Sequence, residues 1–251
     1  MVESSGLLNR QTLTGLVGSN PTLPAIEVTM SVVDFSLPNP KTEFAPVYKM
    51  YGWSCHFDNE AAIDDMRDWI IKNEKRIIEE TPDNPFDDAG TGLGKNSLTA
   101  KYVFFNLMHE TKDVESFKIY RKWLWNQYQE FMSTIRYPVR QCYINAWANV
   151  IRKSQSMGSH HHGVRPFSYL SANMHLDDYD TETYYINSID HTKYSFKNKK
   201  GGCVFFPSSM RHGVTKHKKN TRRVSIAFDL YDKFVSENPN EHYPLVDFAY
   251  E

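Results

Sequence analysis

Cysteine is scarce in this chain of 251 residues, which has only Cys55, Cys142 and Cys203, widely spaced and in no CxxC pattern. An odd number of scattered cysteines excludes a disulfide framework and favours a reducing compartment. No apolar run approaches the roughly 20 residues that a membrane-spanning helix needs. The N-terminal MVESSGLLNR lacks a basic segment followed by an apolar one, so no secretory signal is predicted. We therefore expect a cytoplasmic protein with no membrane partner.

Net charge is also small, because 29 basic side chains stand against 30 acidic ones and leave a net charge of -1. This balance removes the general argument for a nucleic-acid partner. The basic stretch KHKKNTRR at 216–223 is interpreted as a solvated turn before the last predicted strand, and a nucleic-acid patch there is the less favoured interpretation. Aromatic residues make up 14% of the chain, which is too many for a disordered protein. We expect a folded protein with a substantial core.

The periodicity of the sequence changes near residue 139. Residues 1–45 are interpreted as an extended N-terminal arm and residues 232–251 as a C-terminal tail. Helices are predicted near 58–80 and 113–135, each with apolar side chains on one face. From residue 139 to residue 231, short segments separated by turn residues carry apolar or aromatic side chains at every second position, which is typical of strands. The sequence therefore predicts an α+β fold, mainly β, with helices packed on a β-sandwich or barrel in one domain spanning 46–231.

Histidine is the residue that is unevenly distributed, since seven of the ten lie between His160 and His217. In the string SHHHG, His160 and His162 are separated by one residue. Residues i and i+2 point to the same side of an extended chain, so both imidazoles can reach one metal ion. His212 follows a predicted strand and a proline turn, which places its side chain at the mouth of that strand.

An arginine follows at the start of the last predicted strand. In TRRVSIAFD, Arg223, Ser225 and Ala227 share one face. A buried arginine beside a metal site needs an anion, and its guanidinium binds a carboxylate through two parallel hydrogen bonds. By contrast, the string GTGLGK at 90–95 lacks the GxxxxGK[ST] pattern and a preceding buried strand, so a solvated loop is favoured over a phosphate site.

The order of these elements resembles that of the 2-oxoglutarate- and Fe(II)-dependent oxygenases. The likeness is greatest to a group with WxN, HxHP and SGVYYL patterns that includes phage-encoded members. It covers roughly residues 139–231 and rests on four elements in the same order. The first element comprises Trp147, Asn149, His160 and His162, and the second is Leu170-Ser171-Ala172. The third runs from Phe206 to Val214, and the fourth runs from Arg223 to Phe228.

The resemblance implies a double-stranded β-helix, a jelly-roll or cupin-like fold, with flanking helices packed on one sheet and a metal at the barrel mouth. It implies Fe(II) and 2-oxoglutarate as cofactor and cosubstrate, with His160 and His212 binding iron and with Arg223 and Ser225 holding the distal carboxylate. The implied activity is that of a dioxygenase, which hydroxylates a substrate and decarboxylates 2-oxoglutarate to succinate. His175 occupies the place where the group has a tyrosine near the cosubstrate.

Two ligand sets stay open, because the usual triad has two histidines and one carboxylate, and His162 stands where the carboxylate is usual. One set is His160, His162 and His212. The rival set is His175, Asp177 and His212, built on the literal HxD of His175-Leu176-Asp177. We prefer the first set, because six candidate strands follow His162, the number that the fold requires, whereas only five follow Asp177.

Two functions from other classes stay open as well. The missing carboxylate and the long polar arm are compatible with a non-catalytic jelly-roll protein, either a binding protein or a virion-associated one, with a vestigial metal site. A three-histidine metalloenzyme of cupin type would bind metal and need no 2-oxoglutarate. A phage-encoded protein would act in the host cytoplasm. The sequence indicates neither the substrate, whether small molecule or protein, nor the oligomeric state.

Overall fold

The computed structural model describes residues 30–36, 49–88, 90–162, 168–233 and 244–249. The described helices are α1 (Glu60–Glu80), a 3-10 helix (Thr99–Val103), α2 (Leu107–Glu110) and α3 (Glu115–Thr134). The described strands are β1 (Ser31–Asp34), β2 (Tyr51–His56), β3 (Cys142–Ile151), β4 (Met157–His160), β5 (Ser168–His175), β6 (Glu182–Ile186), β7 (Lys193–Lys197), β8 (Gly202–Pro207), β9 (Arg211–Val214), β10 (Arg223–Asp232) and β11 (Val246–Asp247). None of these helices combines the length and the apolar character that crossing a membrane requires.

The strands form two antiparallel sheets. The larger sheet has the order β1-β2-β8-β5-β10-β3-β11, and the smaller one has the order β4-β9-β6-β7. The chain from β3 to β10 passes back and forth between the two sheets, which is the path of a jelly roll. The predicted double-stranded β-helix within a mainly β, α+β fold is therefore confirmed, and the six strands expected after His162 are β5 to β10.

Period-two alternation explains why the larger sheet has two different faces. In β3, Ile144, Ala146, Ala148 and Val150 lie in the main hydrophobic core with the helices. Trp147, which lies between them in sequence, contacts the ring of His162 on the other side of the sheet. One face of the sheet therefore packs against helices, and the other faces the smaller sheet.

The helices pack on the larger sheet through apolar and aromatic side chains. Asn59 caps α1, because its side chain accepts a hydrogen bond from the backbone N–H of Ala62 at 3.0 Å. Phe131 of α3 packs against Trp53 of β2 and Phe205 of β8, with ring centroids 5.9 and 6.5 Å apart. This layer buries the apolar face of the sheet and leaves the space between the two sheets for other side chains.

The space between the sheets is apolar on one side and polar on the other. The apolar side is a second, smaller cluster formed by Val33, Phe35, Tyr185, Phe196, Val204, Phe206 and Met210. The polar side lies on β3, β5 and β10, where buried polar side chains recur at alternate positions, interrupted by Trp147 on β3 and by Ala227 on β10. These polar side chains are Asn145, Asn149, Ser171, Asn173, His175, Arg223, Ser225 and Asp229.

The predicted arm and the predicted tail each contribute a strand to the larger sheet. β1 lies within the predicted arm and pairs with β2, and β11 lies within the predicted tail and pairs with β3. Phe248 of that tail is fully buried in the main core. Residues 1–29 and 37–45 of the predicted arm lie outside the described residues.

We expect Leu124→Ala to lower the free energy of unfolding by about 2–5 kcal/mol, because this side chain of α3 is fully buried in the main core. On the same helix, Ile119 is 38% exposed, and Ile119→Ala should change that free energy by no more than about 0.5 kcal/mol. Urea unfolding followed by circular dichroism measures both. Equal costs for the two variants would contradict the packing of α3 described above.

Candidate metal centre

Three histidines converge where β4 ends and β9 begins. His160 and His212 are partners across the β4–β9 pair, and His162 follows two residues after His160. Their ring centroids are 4.4 Å (His160–His212), 4.9 Å (His162–His212) and 5.3 Å (His160–His162) apart. One ring nitrogen from each lies within 4.8 Å of the other two, and among the described residues this is the group of histidine, cysteine and acidic side chains that could hold a metal ion.

The other ring nitrogen of each histidine has an oxygen partner. Nδ1 lies 2.8 Å from the carbonyl oxygen of Gly158 for His160, 2.7 Å from Oδ1 of Asp229 for His162, and 3.2 Å from the carbonyl oxygen of Met210 for His212. When Nδ1–H donates to such an oxygen, Nε2 carries the lone pair. The three Nε2 atoms are therefore the ones free to bind a cation, and this donor set suits a divalent transition metal.

Burial lowers the pKa of two of the three rings, those of His160 and His212. Loss of solvation, helped by the proximity of His162, lowers the pKa of His160 to about 4. Loss of solvation and the nearby His160 also hold the pKa of His212 well below its usual value. A metal binds the neutral imidazole, so these two rings are ready to act as ligands at neutral pH without losing a proton.

Arg223 is buried in the same barrel, with 1% of its surface exposed. Its Nε donates to Oγ1 of Thr181 at 3.1 Å, and its terminal nitrogens lie 3.2 Å from Oγ of Ser225 and 3.3 Å from Nδ1 of His175. These partners carry no negative charge, and burial lowers the pKa of Arg223 to about 10. A buried cation held only by neutral groups is suited to an incoming carboxylate.

The rival set of His175, Asp177 and His212 does not come together in the structure. His175 is 2% exposed and points to Arg223. The carboxylate of Asp177 lies 3.5 Å from Arg67 of α1 on the outside of the barrel, with about half of the side chain (49%) exposed. The HxD string is therefore two residues with separate environments, one inside the barrel and one outside.

Two other sequence patterns have local structural explanations. In the GTGLGK loop, the Asp88 carboxylate accepts backbone N–H bonds from Gly90 and Gly94, both at 2.9 Å. These two backbone N–H groups of the loop therefore already bind a carboxylate of the same chain. In the basic stretch, His217 is buried between Asp180 and Thr221, whereas Lys216, Lys218, Lys219 and Arg222 are exposed.

Sequence reasoning missed three residues around the centre. Asp229 bonds to His162, Thr181 bonds to Arg223, and the amide of Asn173 donates to the Tyr185 hydroxyl at 2.9 Å. Asp229 continues the alternation of Arg223, Ser225 and Ala227 along β10, so extending that face by one step would have found it. Asn173 likewise lies two residues before His175 on β5, whereas no comparable signal in the sequence marks Thr181.

Comparison with known proteins finds one family that part of the chain resembles and several solved structures that share its fold. Residues 145–229 match the family described as "Putative 2OG-Fe(II) oxygenase". No curated protein matches the chain.

Solved structures share the fold at low sequence identity. A Pseudomonas putida prolyl-4-hydroxylase has a TM-score of 0.51 and 12% identity, with 72% of this chain and 92% of that chain covered. A prolyl hydroxylase from Trichoplax adhaerens, in complex with a peptide fragment of hypoxia inducible factor, has a TM-score of 0.53 and 8% identity, with 75% of this chain and 87% of that chain covered. The epimerase SnoN from nogalamycin biosynthesis has a TM-score of 0.52 and 11% identity, with 79% of this chain and 89% of that chain covered. Residues 145–229 are thus similar to the family of putative 2OG-Fe(II) oxygenases, and the chain shares the fold of these solved structures.

Proposed function

We propose that this protein is a dioxygenase that hydroxylates a substrate and converts 2-oxoglutarate to succinate and CO2. In this reaction one atom of dioxygen enters succinate and the other enters the hydroxylated product. The observation that carries the proposal is the presence, in one barrel, of three converging imidazoles and a buried arginine without a carboxylate partner among the described residues.

His160, His162 and His212 would hold the iron through Nε2, because their Nδ1 atoms have oxygen partners. When bound, iron supplies the activation of dioxygen that is coupled to decarboxylation of 2-oxoglutarate. The rings of Trp147 and Phe206 lie 5.4 Å from His162 and 4.6 Å from His212. These aromatic walls limit the access of water to the centre.

Arg223 and Ser225 would receive the distal carboxylate of 2-oxoglutarate. The Ser225 hydroxyl lies 3.2 Å from the guanidinium of Arg223, so one carboxylate can contact both. His175 on the neighbouring strand has a pKa held well below its usual value, because it is buried and lies beside the Arg223 charge. It therefore stays neutral, and it orients the guanidinium without competing for the anion.

The buried arginine also favours this function over its two rivals. A vestigial jelly roll, or a cupin-type enzyme without 2-oxoglutarate, gives no reason to keep a cation at 1% exposure with neutral partners, since burying a charge without a counter-ion is costly. The substrate class is left open, because structures that share this fold include prolyl hydroxylases and an epimerase and a fold does not imply a substrate.

The predicted compartment and the domain boundaries belong to the same proposal. The cytoplasm stays the predicted location, supported by three cysteines that are buried and free. Residues 46–231 are proposed as one domain, supported by the main core that joins the helices to the larger sheet; β1 and β11, on either side of this range, pair with the same sheet. A phage origin stays a prediction from the resemblance.

We expect the purified protein, reconstituted with Fe(II) without oxygen, to hold one iron per chain and to form succinate from 2-oxoglutarate once oxygen is admitted. His212→Ala should lose most of its iron and its succinate formation, because it removes one of three ligands. His109→Ala is the matched control, since His109 is exposed on α2, and it should behave as the unchanged protein does. Equal iron content in all three proteins would disprove the proposed ligand set.

We also expect 2-oxoglutarate to raise the melting temperature of the metal-loaded protein, and this rise should be lost in Arg223→Met. Charge-assisted hydrogen bonds contribute about 1.5–3 kcal/mol each, so losing one should raise the KM for 2-oxoglutarate by about 10- to 100-fold. Arg222→Met is the control, because Arg222 is an exposed arginine next to Arg223 in the chain. Metal binding without any effect of 2-oxoglutarate would favour the cupin-type enzyme, and binding of neither would favour the vestigial site.

A further inference from the structure

A carboxylate lies one hydrogen bond away from the three-histidine group. Oδ1 of Asp229 is 2.7 Å from Nδ1 of His162, and Asp229 is 2% exposed in the middle of the barrel. Among the described residues, Nδ1 of each of the other two histidines lies against a backbone carbonyl oxygen, that of Gly158 or Met210. His162 is thus the one ring of the three whose Nδ1 partner is a carboxylate.

A chain of serine hydroxyls holds this carboxylate in place. The Ser171 hydroxyl lies 2.6 Å from Oδ1 of Asp229, Ser208 lies 2.8 Å from Ser171, and Ser168 lies 2.8 Å from Ser208. A carboxylate only accepts hydrogen bonds, and each hydroxyl has one proton to give. The chain is therefore directed from Ser168 through Ser208 and Ser171 to Asp229, and the proton between His162 and Asp229 comes from His162.

We infer that Asp229 is a positioning residue of the metal centre, which fixes His162 with its proton on Nδ1 and makes Nε2 a stronger donor. The inference rests on the proposed function. A usual facial triad holds one carboxylate as a direct ligand, and this chain has a histidine in that place. Asp229 would instead supply the negative charge indirectly, through its hydrogen bond to Nδ1 of His162.

The strength of such an effect is known for metal sites in general. A carboxylate that accepts the second N–H of a ligating histidine fixes the ring and raises its basicity, and its loss typically weakens metal affinity by about 10- to 100-fold. His160 and His212 lack this support, so the effect should act through His162 alone.

The same protein contains a matched pair that serves as a control. Nδ1 of His217 lies 2.8 Å from Oδ1 of Asp180, nearly the distance found between His162 and Asp229. The Nε2 atom of His217, however, lies 2.9 Å from the carbonyl oxygen of Thr221, so it is not free for a metal. Removing the Asp180 charge disturbs a similar histidine–aspartate pair outside the metal group.

The experiment measures Co(II) affinity of the full chain by competition with a chelator, together with the visible absorption of bound Co(II). We expect Asp229→Asn to weaken Co(II) binding by about 10- to 100-fold and to shift the absorption bands, because the donor strength of one ligand changes. Asp180→Asn should leave both unchanged. If Asp229→Asn does not fold, as judged by circular dichroism, Asp229→Ser takes its place with the same expected result.

A double variant separates positioning from a general structural effect. If Asp229 acts through His162, the variant with both His162→Ala and Asp229→Asn should bind Co(II) as weakly as His162→Ala alone. Additive losses in the double variant, or wild-type affinity in Asp229→Asn, would overturn the inference while leaving the proposed function intact. No Co(II) binding by the unchanged protein would overturn both.

Discussion

The polar face of the larger sheet is the constraint on which the rest of this structure depends. Strands β3, β5 and β10 present apolar side chains to the helices and polar ones to the smaller sheet. Polar groups between two sheets are costly unless they bond to one another or to a ligand. Hydroxyls, amides and an aspartate satisfy one another around His162, whereas the Arg223 charge is left with neutral partners. The fold is stabilised by one face of these strands, and the other face is available for chemistry.

Much of this architecture follows from local sequence. Period-two alternation and turn residues locate the strands from β5 to β10, because both depend on neighbours in the chain. The helices are equally visible, since the apolar face of α3 recurs at helical spacing. The convergence of His160 and His162 needs only an extended chain, and Arg223 with Ser225 needs only a strand. These parts of the candidate site could be predicted because each lies within a few consecutive residues.

The parts that could not be predicted depend on contacts between distant segments. Choosing between His162 and Asp177 required knowing that β4 lies beside β9, whereas Asp177 lies outside the barrel next to Arg67 of α1. Strand β4 itself has four residues, too few to show a period. Asp229 was visible as a position on β10, but its partner lies 67 residues earlier in the chain. Sequence periodicity assigns a side chain to a face, and only the packed sheets determine what it meets there.

The position of His160 and His212 has a consequence for the barrel as a whole. They are partners across the pair of β4 with β9, and β4 is one of the two edge strands of the smaller sheet as described, with an irregular register between Met157 and His160. A cation bound by both rings, as proposed above, would also hold β4 against β9. Because a ligand stabilises the state that binds it, loading of the proposed metal would favour the conformation in which β4 and β9 are paired.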